Sequence, residues 1–126
     1  MGKLLWQPTE DQIKQSNMVR YMETVNQRYQ QQFKSYDDLY RWSVAAVPDF
    51  WASIWDFMEV RASRSYDRVL DDVTKMPGAR WFEGAQLNFA ENLLRYRDDR
   101  TAIIFKGESQ PVQRMTYAEL YDAVSR

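Results

Sequence analysis

Ser35-Tyr36-Asp37-Asp38-Leu39-Tyr40-Arg41-Trp42-Ser43-Val44, followed closely by Pro48-Asp49-Phe50-Trp51-Ala52-Ser53-Ile54-Trp55, decides the fold class of this chain. Ser35 is a helix N-cap with Asp38 three positions on, and Tyr36, Leu39, Tyr40 and Trp42 supply the apolar members of the helix it opens. Pro48 suits the first helical position, where its missing N–H costs nothing. Phe50, Trp51, Ile54, Trp55 and Met58 then form one broad apolar stripe. The stripe fits a core or a partner groove. We read it as core, because five such side chains left in water invite aggregation.

Upstream, Thr9 with Gln12 forms a capping box, and Met18, Tyr21, Met22, Val25 and Tyr29 recur at helical spacing. One helix is expected from Glu10 to about Gln32, with Gln30, Gln31 and Gln32 as a solvated end. Downstream, Arg61 to Met76 fits a short helix or an extended segment. Pro77-Gly78 is a turn that divides the helical first half from a second half of different character. Asn88 with Glu91 starts a short helix ending before Asp98-Asp99. Ala102 to Phe105 is a β-prone run, Gly107 to Pro111 its connection, and Val112 to Met115 the partner strand. Thr116 with Glu119 opens a last helix. That helix stops at Arg126 without a Gly or Pro signal, as in a chain cut short. Two strands alone are marginal in water, which agrees. The expected fold is α+β, mainly α: N-terminal helices, a short β-hairpin and a terminal helix.

The 126 residues suffice for a small domain, and five Trp, eight Tyr and six Phe provide for burial. Seventeen basic against eighteen acidic side chains leave a net charge of −1, without the basic footprint of a nucleic-acid binder. No cysteine is present, which excludes disulfides, Cys-based metal sites and Cys nucleophiles, and no histidine is present to act as base or ligand. The only apolar run near the start, Leu4-Leu5, is too short for a signal peptide, and nothing approaches the roughly 18 apolar residues of a membrane span. A cytoplasmic location is expected, with no membrane or nucleic-acid partner.

Candidate chemistry is sparse. Gly2, Gly78, Gly84 and Gly107 are scattered, with no phosphate-loop spacing. The pairs Asp37-Asp38, Asp71-Asp72 and Asp98-Asp99 splay apart on a helix, so caps or solvated faces are the expected roles rather than an acid–base pair. Trp81 and Phe82 beside Arg80 resemble a base-stacking pair. Without a surrounding basic patch, a plug anchoring an irregular segment is the better reading.

Several segments together resemble the acetoacetyl-CoA synthetases. These are Leu5-Trp6-Gln7-Pro8 with Ile13, Ser16-Asn17-Met18 and Tyr21-Met22; Ser35 to Val44; Phe50-Trp51 through Trp55-Asp56-Phe57; Met76 to Phe82; and Leu87 to Leu94. Ala102 to Phe105 and Thr116 to Leu120 are similar to the start of the large domain of adenylate-forming enzymes. The Trp-Phe and Leu-Asn words are shared with acetyl-CoA synthetases, whereas Tyr36 to Ser43 discriminates toward acetoacetate.

The resemblance implies a parent that uses ATP, magnesium and CoA through an acyl-adenylate. Its phosphate loop, nucleotide-binding residues and catalytic Lys would lie beyond this chain, so no catalytic, cofactor or metal residue is carried over. It also implies a helical N-terminal domain over residues 1–100 and the start of the truncated large domain over 101–126. Trp81, Phe82, Leu87, Phe89 and Leu93 are the candidate packing surface toward the rest of that ligase chain. The same exposed faces leave the piece open to self-association. The rival readings are a stand-alone helical interaction module and the N-terminal region of an acetyl-CoA synthetase sibling.

Overall fold

The computed structural model describes residues 5–125; Leu4 of the apolar pair and Arg126 at the expected helix stop lie outside them. Four helices come first: α1 (Glu10–Lys14), α2 (Asn17–Tyr29), α3 (Tyr36–Ala45) and α4 (Val47–Phe57). Strands β1 (Arg68–Leu70) and β2 (Trp81–Glu83) follow, then α5 (Phe89–Leu93), β3 (Thr101–Phe105), β4 (Gln113–Thr116) and α6 (Tyr117–Val124). The chain is α+β and mainly α, as expected. The described residues divide into two compact units. Residues 5–60 with 66–83 make the helical unit, and residues 61–65 with 84–125 make the second.

In the helical unit the expected single helix over Glu10–Gln32 is two helices. The Thr9/Gln12 capping box opens α1, but Ser16 adopts extended backbone and accepts a hydrogen bond from the Val19 N–H, capping α2 afresh. A side chain that satisfies a free N–H lets the chain restart at a new angle. The far end of α2 closes with Gln30 in the left-handed region at φ 53°. Asn26 then bridges the following loop, donating to the Phe33 carbonyl at 3.0 Å and accepting from its N–H at 2.9 Å. The Ser35/Asp38 capping box opens α3 as expected.

The core consists of Tyr21, Val25 and Leu39, with Trp42, Phe50, Ile54 and Phe57 among the rings and branched chains packed on it. The stripe on α4 is shifted from the expected one. Phe50 and Ile54 face the core, but Trp51 and Met58 are exposed, and the small residues Ala52 and Ser53 are the most buried. Close approach of α2 is the reason: Tyr21 Oη lies 2.6 Å from Ser53 Oγ, a distance only a small side chain on α4 permits.

The Pro77-Gly78 turn is present, with a cis Met76–Pro77 bond and Gly78 at φ 106°. It does not divide two halves. It joins β1 to β2, which pair antiparallel with Leu70 opposite Trp81 and Arg68 opposite Glu83. The open choice for Arg61–Met76 resolves to extended chain, and this second hairpin was not anticipated.

In the second unit the Asn88 cap, the β3–β4 hairpin and the Thr116/Glu119 box stand within a residue of the expected positions. Ile103 faces Met115 and Phe105 faces Gln113, with an irregularity between Thr101 and Ile103. The Tyr117 and Ala118 N–H groups donate to the carbonyls of Arg100 and Asp98, tying the start of α6 to the segment before β3. Arg97 stacks on the Tyr121 ring at 3.7 Å in the same corner.

Candidate interaction surface

At least one member of each carboxylate pair is absorbed by local structure. Asp38 accepts from Ser35 Oγ and the Ser35 and Lys34 N–H groups, and these donors hold it below the ordinary carboxylate range. Asp71 has a side chain only 4% exposed. It accepts from Lys75 Nζ at 2.7 Å and from the Arg80 N–H at 2.8 Å, and these two donors drive its pKa far down. Asp72 is lowered by Thr74, and Asp98 by a forked Arg100 guanidinium. A general base poised for neutral pH needs a raised carboxylate pKa. All four shifts run the other way, so these groups are turn and cap fasteners. Among the described residues, no three acidic side chains gather at a position able to hold a metal ion.

Trp81 and Phe82 lie on β2 in the helical unit. Phe82 is half-buried in an aromatic cluster, 4.7 Å from Trp55 and 5.3 Å from Tyr66 between ring centroids. That packing holds it at φ 47°, a conformation uncommon for a bulky residue. The plug role therefore belongs to Phe82. Trp81 sits edge-on to Trp51 at 5.9 Å, and both remain exposed.

Leu87, Phe89 and Leu93 belong to the second unit, and all three are exposed. Phe89 and Leu93 are brought together with Leu94, Tyr117 and Leu120 around an apolar groove of about 450 Å³ between α5 and α6; Leu87 stands apart from it.

Other apolar residues are exposed that the sequence analysis did not place at a surface, Tyr36 and Tyr40 among them, which it read as apolar members of their helix. Tyr36, Tyr40 and Val44, spaced four apart, line the outer face of α3 while Leu39 points inward. Val73 and Met76 stand on the β1–β2 connection, Met76 with 96% of its surface exposed. The four-residue spacing on α3 was a visible signal. Val73 and Met76 had none, because their exposure depends on a loop conformation set by Asp71.

A family described as the acetyl-coenzyme A synthetase N-terminus matches residues 36–93. The acetoacetyl-CoA synthetase of Macaca fascicularis is 38% identical over 98% of this chain, which corresponds to 18% of that protein. The Rhizobium meliloti acetoacetyl-coenzyme A synthetase is 37% identical over 97% of this chain and 19% of its own length. The solved structure of the acetoacetyl-CoA synthetase from Streptomyces lividans superposes with a TM-score of 0.82 at 36% identity, covering 94% of this chain and 19% of that one. The chain thus spans less than a fifth of the length of the relatives it matches. Sequence and fold agree over nearly all of its residues: the chain is similar to the N-terminal region of the acetoacetyl-CoA synthetases, and it matches the N-terminal part of an acyl-CoA synthetase.

Proposed function

We propose that the chain is the non-catalytic N-terminal part of a longer ATP-dependent acetoacetate–CoA ligase. That ligase would join acetoacetate to CoA through an acyl-adenylate, releasing AMP and pyrophosphate in the cytoplasm. The observation that carries this reading is the agreement in both sequence and fold with acetoacetyl-CoA synthetases across more than nine-tenths of the chain. ATP, magnesium and CoA belong to the remainder of the ligase in this reading. In support, Gly78, Gly84 and Gly107 lie far apart in the sequence without phosphate-loop spacing, and among the described residues no three acidic side chains gather.

The role left to the chain is structural. Residues 1–100 act as a helical N-terminal domain and 101–126 as the first piece of the large domain's sheet. Trp81, Phe82, Leu87, Phe89 and Leu93 supply packing toward the remaining chain, and the isolated piece self-associates through the same apolar faces. The test is pyrophosphate release with ATP, CoA and acetoacetate, measured on this chain and on the longer ligase. Turnover by the longer chain alone, with acetoacetate preferred to acetate, supports the reading; adenylate formed by residues 1–126 alone overturns it. Because the matching family is described by acetyl-CoA synthetase, the second reading is an acetate-using sibling, and a preference for acetate would select it.

A further inference from the structure

We propose that one face of the helical unit docks the remainder of the ligase chain. This face runs from Tyr40 and Val44 through Val73 and Met76 to Trp81 and Trp51. The inference rests on the ligase reading above and deepens it by naming a surface. All six side chains are exposed; shared surroundings make five of them one patch, and Tyr40 extends it one helical turn back from Val44 on α3. Val44 and Val73 line one hollow, while Val73, Met76 and Trp81 line the next, and Leu70 floors both. Trp51 continues the patch through its ring contact with Trp81. A soluble monomer seldom leaves so much contiguous apolar surface to water.

The loop that carries Val73 and Met76 is held in place. Asp71 ties its two ends through Lys75 and the Arg80 N–H, and Asp72 accepts from the Thr74 N–H at 2.9 Å and hydroxyl at 2.6 Å. A preordered loop loses little entropy when a partner lands on it. Two observations select the occupant. The relatives extend more than fourfold beyond the matched stretch. A covalently attached partner also acts at an effective concentration of roughly millimolar, far above that of a second copy in dilute solution.

The test is peroxide footprinting of methionines, read by peptide mass spectrometry, on residues 1–126 and on the ligase chain as encoded. Met18 and Met58, both partly exposed, serve as references. The expected result is Met76 oxidation slowed by about tenfold or more in the longer chain while the references change by less than about twofold. Equal rates in the two chains overturn the docking surface. So does Met76 protection in the longer chain that appears only as its concentration is raised, because the occupant is then a second copy. Ligase activity is scored on the same sample. An active enzyme with unprotected Met76 rejects the surface and keeps the ligase reading; an inactive chain with protected Met76 does the reverse.

Discussion

Tyr21 and Ser53 meet inside the helical unit, and counting protons fixes the direction of their hydrogen bond. The Ser53 hydroxyl, 1% exposed, donates to the Phe50 carbonyl at 2.7 Å, so its oxygen accepts from Tyr21. Ser53→Ala strands a buried phenol and is expected to cost about 1–3 kcal/mol, whereas Tyr21→Phe leaves Ser53 its carbonyl and costs about 0.5–1.5 kcal/mol. Urea unfolding followed by circular dichroism checks the order; equal losses would mean that water rescues the tyrosine.

Asp71 makes the matching argument for charge. Its ordinary value is 3.8 and the folded chain holds it lower, chiefly through Lys75. The carboxylate therefore stabilises the fold above the unfolded value, and the contribution fades as pH falls through the folded one. Asp71→Asn should lower the melting temperature near neutrality and narrow the gap to the parent as pH drops below about 4. A gap that is constant down to strong acid would show that the charge is idle.

Among the elements, those opened by a side-chain cap with a carboxylate or amide three residues on were legible. Thr9/Gln12, Ser35/Asp38 and Thr116/Glu119 all form the reciprocal pair. Each needs only neighbours four positions apart or fewer, which is what a linear sequence displays. Ser16 was missed because its third position is Val19, which cannot return the bond. β1 and β2 were missed because three residues are too few to show a period of two, and what holds them is Phe82 against Trp55, 27 positions away. The exposed residues divide the same way: Phe89 and Leu93 were named from the resemblance and are exposed on α5, while the exposure of Met76 required knowledge of the loop. Ser35→Ala should cost about 1 kcal/mol, seen as a lower urea midpoint at unchanged slope. A changed slope would instead point to α3 failing to form.

For the molecule as a whole, the two units differ in how far they can stand alone. The helical unit has a buried cluster in Tyr21, Val25 and Leu39, whereas the second unit buries little besides Leu94. On β3, Ile103, Ile104 and Phe105 are consecutive and each about half exposed, so both faces of the strand carry apolar side chains that are only partly covered. A strand greasy on both faces is the pattern of a sheet interior rather than of a free hairpin. This asymmetry agrees with a chain that completes its second unit only within a larger ligase.

That strand also has a consequence in time. Under the ligase reading, a ribosome adding about 5–20 residues per second needs on the order of a minute to make the rest of the chain. For most of that interval the Ile-Ile-Phe run is outside the exit tunnel and still without the rest of its sheet. The nascent chain is then a natural client for a chaperone that holds extended apolar segments, and slow translation would lengthen the exposure.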